Sequence, residues 1–131
     1  MPVSQRRLLE EALQRYADHP SFEGVDLTAA DQGGGDGDTP LHIAIRLGNL
    51  EDARLFLEHG ANVNKQGDIG YTALHNASMQ SNAAAVRLLL EHGANCDVKS
   101  DFGETAIGLA VRQGDIDIIE LLAEFQERRP Q

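Results

Sequence analysis

The stretch that decides the fold is Gly37–Asn64, GDTPLHIAIRLGNLEDARLFLEHGANVN. Its pieces come back at a fixed interval. LEHGAN stands at Leu57–Asn62 and again at Leu90–Asn95, and Thr39, Thr72 and Thr105 are each 33 positions apart. A period in this range marks a stack of small repeated units. Within the unit, Thr39 sits where a helix N-cap belongs, and Pro40 follows at the first helical position, where its missing N–H costs nothing. The pattern predicts a helix to about Leu47, a break at Gly48-Asn49, and a second helix from Leu50 to Glu58 capped by Asn49. Gly60 supplies the left-handed residue that ends it. An extended stretch is expected over Asn62–Lys65.

The second unit is GYTALHNASMQSNAAAVRLLLEHGANCD, Gly70–Asp97, and the third is GETAIGLAVRQGDIDIIELLAEF, Gly103–Phe125. Small residues recur at Ala44, Ala77 and Ala110, where the two helices of a unit approach closely. Leu41, Leu55 and Leu57, then Leu74, Leu88 and Leu90, then Ile107 and Leu121, keep a helical period. A lone helix pair cannot bury such a face; stacked neighbours bury a continuous core.

At these residues the chain resembles the ankyrin-repeat family. TPLHIA at Thr39–Ala44 is close to that family's signature and TALHNA at Thr72–Ala77 is a second copy. TAIGLA at Thr105–Ala110 departs from it, with Ala106 for Pro and Gly108 for His, as an atypical terminal repeat does. The resemblance covers roughly residues 24–125. It implies an all-α solenoid of stacked helix pairs with hairpin loops projecting to one side. It also implies that hairpin tips and first helices form a concave protein-binding face.

The expected layout is a single domain over residues 1–131: a degenerate N-terminal capping repeat (1–35), two repeats (36–67 and 68–100), and a C-terminal capping repeat with a short polar tail ending in Pro130 (101–131). Residues 4–18 read as one amphipathic helix with Leu8, Leu9, Ala12, Leu13 and Tyr16 on its apolar face and Ser4 as its N-cap. Laying Gly24–Asp31 over Gly60–Gly67 leaves three extra residues before Thr39, placed within Gln32–Asp36. The run Gly33-Gly34-Gly35 makes that segment read as a flexible surface insertion, dispensable for folding; the alternative is an arm that closes on a partner.

At 131 residues the chain is one compact unit with a formal net charge of −10. An acidic chain without a basic block argues against nucleic acid and anionic membrane as partners. No segment reads as a signal peptide or a membrane span, and cytoplasm is the expected location. Cys96, at the position of Val63 one unit earlier, reads as a small buried hydrophobe rather than a reactive thiol.

His42 and His75 belong to the family signature, in which the side chain hydrogen-bonds backbone between repeats. His59 and His92 are repeat-equivalent, at helix C-termini, where a cation complements the helix dipole. Repeat-equivalent groups lie on the order of 10 Å apart, too far to share a metal at bond lengths of ~2 Å. No cofactor and no metal is expected. No nucleophile elbow, zinc-protease or phosphate-loop motif occurs, so an enzyme is unsupported.

The informative surface is at the hairpins. Their tips carry Asp68, Ile69 and Tyr71, then Asp101, Phe102 and Glu104. The ends of the first helices add Arg46, Leu47, Met79, Gln80, Arg112 and Gln113. Apolar and aromatic residues with arginine and methionine, rimmed by acids, are the composition of a protein-recognition hot spot. The expected function is protein–protein binding, as an adaptor or a stoichiometric inhibitor of the immunity type, with another protein as partner. The alternatives are a module that uses the same ridge for a homodimer and, far behind, an enzyme or metal-binding protein.

Overall fold

A computed structural model describes residues 3–24, 27, 29–30 and 32–128. Seven α-helices run through it: α1 Val3–Tyr16, α2 Pro40–Leu47, α3 Leu50–Glu58, α4 Ala73–Met79, α5 Ala83–Glu91, α6 Ala106–Gln113 and α7 Ile116–Arg128. The described residues form no strand. Helices α2, α4 and α6 pack in series as one layer and α3, α5 and α7 as a second, with α1 covering the open side of α2 and α3. One apolar core runs the length of the stack, from Ala12, Leu13 and Phe22 through Phe56, Leu74 and Leu89 to Ile118 and Leu122.

Local chemistry explains the helix bounds. The Asn49 side chain accepts from the Asp52 amide, and the Asn82 side chain accepts from the Ala85 amide, capping α3 and α5. Thr72 and Thr105 accept in the same way from His75 and Gly108. Between paired helices the chain turns through the left-handed region at Gly48 (φ 75°), Ser81 (φ 55°) and Gly114 (φ 69°). Only the middle unit makes this turn with a residue that carries a Cβ, which is strained there.

Four local expectations need correction. Ser4 lies inside α1, which begins at Val3 and ends at Tyr16, so it is not the N-cap. Asn62–Lys65 is a turn, closed by the Lys65 amide on the Asn62 carbonyl at 3.1 Å, rather than an extended stretch. The polar segment Glu124–Arg128 continues α7, while Pro130 and parts of Gly24–Asp31 lie outside the described residues.

The fourth concerns the glycine run. The Gly34 amide meets the Asp38 carbonyl at 2.8 Å, in register with Gly67 on Tyr71 and Ser100 on Glu104 at the same distance. The hairpin is therefore the common one, and the extra length precedes Gly34, in residues 17–33 against 59–66 one unit later. That longer segment includes a 3-10 turn, Pro20–Phe22, which buries Phe22 in the core. The Gly35 amide donates to the Ser21 carbonyl at 3.0 Å, and the Ser21 hydroxyl donates to Asp36 at 3.0 Å. A Cβ on Gly34 would lie 1.8 Å from the Ser21 carbonyl oxygen. Gly34 is required because two backbones touch there, whereas a Cβ on Gly35 would meet open space.

Candidate functional site

The hairpin bases are tied by the signature histidines. In α2 the Thr39 amide donates to Nδ1 of His42 at 3.0 Å, which leaves Nε2–H to reach the Lys65 and Tyr71 carbonyls at 3.0 and 3.1 Å. In α4 the Thr72 amide donates to His75 Nδ1, and His75 Nε2 reaches the Glu104 carbonyl at 2.8 Å. Each ring is neutral, buried, and spans from its own helix to the next hairpin. Burial pushes both imidazoles below the usual histidine range, against the opposing pull of nearby carbonyls and of Asp38 and Glu104. Gly108 takes the third position, and no further hairpin among the described residues would supply an acceptor for a histidine there. His59 and His92 bond through Nδ1 to the carbonyls of Leu55 and Leu88, both at 2.9 Å, closing the ends of α3 and α5. Among the described residues no group of histidines, cysteines and carboxylates is placed to hold a metal.

A second ladder uses residues expected on the binding face. Arg46 pairs with Asp38, and Arg112 pairs with Glu104, across equivalent positions two units apart. In the middle unit those two positions are Met79 and Tyr71. The Tyr71 ring lies 5.5 Å from that of His75 and its hydroxyl donates to Glu104 at 2.9 Å. That bond holds the Glu104 carboxyl below, and the Tyr71 phenol above, its usual range. Gln80 donates to the Arg46 carbonyl at 2.7 Å and Gln113 to the Met79 carbonyl at 2.8 Å. Leu47, at the corresponding position of the first unit, instead borders a hollow of about 290 Å³ beside Arg15, Tyr16, His19, Asn49 and Asp52.

The tips themselves differ. Asp68 donates its amide to the buried Asp38 carboxylate at 2.9 Å, and the Asp101 amide donates to the Ile69 carbonyl at 2.9 Å, so neighbouring hairpins are stitched by a backbone amide onto a carboxylate in one case and a carbonyl in the other. The Ile69 and Phe102 side chains take no part. Ile69 is 41 % exposed at φ 61°, a conformation that a β-branched residue rarely adopts, and Phe102 is 74 % exposed. Of the twelve expected residues, the structure thus joins Tyr71, Glu104 and Arg112 in one network. It uses Arg46, Gln80 and Gln113 in helix-to-hairpin or helix-to-helix links, and leaves Ile69 and Phe102 outward beside Asp68 and Asp101. Met79 is half-buried.

Two carbonyl-bonded histidines and three hairpin bonds at a spacing of 33, on paired helices stacked in two layers, are the features by which a repeat family is recognised. A family model described as "Ankyrin repeats (3 copies)" matches residues 6–100 and 64–129. The chain belongs to the ankyrin-repeat family. No curated protein matches the chain significantly. Ankyrin repeats are in general protein–protein interaction modules. No helix among the described residues is long and apolar enough to cross a membrane.

Sequence reasoning missed one cluster. Asp52, buried in α3, accepts from the Tyr16 hydroxyl at 2.8 Å, from Asn49 Nδ2 at 2.9 Å and from the Arg15 guanidinium. Burial, then Asp52 itself, pushes the Tyr16 phenol well above its usual range. The signal was available: the equivalent positions one and two units on are Ala85 and Ile118, so a carboxylate at 52 breaks an apolar column. This ankyrin stack fastens the helix of its degenerate first repeat by a polar lock rather than by apolar packing alone.

Proposed function

We propose that this ankyrin stack is a stoichiometric protein-binding module, an adaptor or an inhibitor, whose recognition surface is the pair of hairpin tips at Ile69 and Phe102. The observation that carries this reading is the contrast within the ridge. Polar members of the ridge bond to the stack itself, whereas Phe102 and Ile69 stand outward on hairpins held by backbone and histidine bonds. An exposed aromatic on a rigid support is the arrangement of an interface anchor, because little conformational entropy is lost when it docks. The strained backbone at Ile69 points the same way, since strain of this kind persists at sites where the geometry is used. Asp68 and Asp101 flank the anchors and suit a partner with basic groups around an apolar pocket.

The test has two steps. The tagged chain is used to capture partners from its native cell, and binding of a purified candidate is titrated by calorimetry. The reading requires that Phe102→Ala weaken that binding by about 2 kcal/mol or more while the melting temperature stays within a degree or two. Sedimentation over a concentration series separates this outcome from self-association through the same tips.

A further inference from the structure

The repeat gives an internal measure of what each position normally faces. Ile45 and Ser78 are completely buried, but Val111, two and one units further on, is 59 % exposed. Ala53 and Val86 are likewise buried, while their equivalent Ile119 is half-exposed, and Ile107 is half-exposed where Leu41 and Leu74 are buried. These are the positions that the next helix pair covers in the earlier units, and in the α6–α7 unit they remain apolar. Ile116, one turn before Ile119 and 65 % exposed, adjoins the strip at a position that is exposed at Ala83 and half-buried at Leu50, so it extends the apolar surface beyond the stacking positions themselves. A uniform apolar face of this kind is a stacking surface, continuous in pattern with the interfaces already built twice within the chain.

Its rim says what covers it. Asp117 and Glu120 are exposed on α7, one position along from Ile116 and Ile119, so an acidic stripe runs beside the apolar one. At the position of Glu120 the two earlier units carry Arg54 and Arg87. Asp117 and Glu120 set two copies of this face against each other. We infer that the α6–α7 end face is a second docking surface, for a partner that presents an apolar helical stripe flanked by lysine or arginine. It is separate from the hairpin tips at Ile69 and Phe102.

The probe is a synthetic amidated 14-residue peptide of leucine and lysine in helical register, titrated into the full chain at low salt, with a glutamate-for-lysine analogue as counterpart. Saturable one-to-one binding of the lysine peptide is expected. Val111→Ser with Ile116→Ser, both at exposed positions, should weaken it at least tenfold, and Glu120→Arg at least threefold. Phe102→Ser should leave it unchanged. Absence of saturable binding, equal binding of the glutamate peptide, or undiminished affinity of the double variant would overturn the proposal. So would a dimer of the wild-type chain that the Val111→Ser, Ile116→Ser variant dissolves, which would make the face a self-contact.

Discussion

The Tyr71 hydroxyl donates to Glu104 at 2.9 Å, and the two residues hold equivalent positions in adjacent units. One repeat's aromatic thus braces the next repeat's carboxylate, which Arg112 holds from the other side. Tyr71 belongs to the stack more than to the surface.

That assignment separates two residues that the sequence groups together. Tyr71→Ala removes a half-buried ring and leaves Glu104 with Arg112 and the weak Ser100 contact, and should lower unfolding free energy by about 1–2 kcal/mol. Phe102→Ala removes a ring that touches little and should stay within about 0.5 kcal/mol of wild type. Urea denaturation of the two variants decides this; equal losses would mean that Phe102 packs as Tyr71 does.

Ser81 occupies the left-handed turn that Gly48 and Gly114 occupy in the other units. Ser81→Gly relieves a strain of about 1 kcal/mol, partly offset by the greater freedom of glycine in the unfolded chain. A net gain of about 0.5 kcal/mol is expected, read as a higher melting temperature. A fall would show that the weak Ser81–Gln113 contact, at 3.5 Å, matters more than the backbone.

Asp52→Ala should cost about 2 kcal/mol, because it strands the buried Tyr16 hydroxyl and unpairs Arg15. The loss should be local: hydrogen exchange should quicken in α1 and leave α5 and α6 unchanged. Uniformly faster exchange would contradict the role of Asp52 as the fastening of the first helix.

Acid should weaken the stack in a defined window. Because burial lowers the folded values of His42 and His75 below the ordinary 6.5, the unfolded chain binds more protons as the pH falls past that point. Their contribution is present above about pH 6.5 and is lost as the pH drops toward the folded values. Asp38 facing His42 and Glu104 facing His75 narrow the window without reversing it, and Arg46 beside His42 widens it. Glu104, itself held low by Tyr71, adds a second loss only below its ordinary 4.5. The urea midpoint should be lower at pH 5 than at pH 7.5; an equal or higher midpoint would contradict the neutral-ring bonding.

Where the sequence repeats, its reading holds: the period of 33 located the helices, and Asn49, Thr72 and Thr105 act as the caps that their side chains permit. Where a bond crosses units between unlike residues, position in the repeat says nothing. Tyr16 and Asp52 lie 36 residues apart with one partner in the degenerate first repeat, and Tyr71 meets Glu104 where Met79 and Tyr71 replace an arginine and an acid. The glycine run misled for a related reason. Composition registers the lack of a Cβ at Gly34 but not the Ser21 carbonyl that requires it. The outward Phe102 was legible because a hairpin tip offers an aromatic nothing to pack on.

The most direct measurement is the affinity of a captured partner for the variant carrying Ile69→Asn and Phe102→Ala, set beside its melting temperature. Asparagine tolerates the left-handed backbone at 69, so the fold should be kept or slightly strengthened. Affinity should be weaker by about 2 kcal/mol or more, roughly thirtyfold, with melting unchanged or higher. Undiminished affinity in the folded variant would contradict this, and would move recognition away from the hairpin tips.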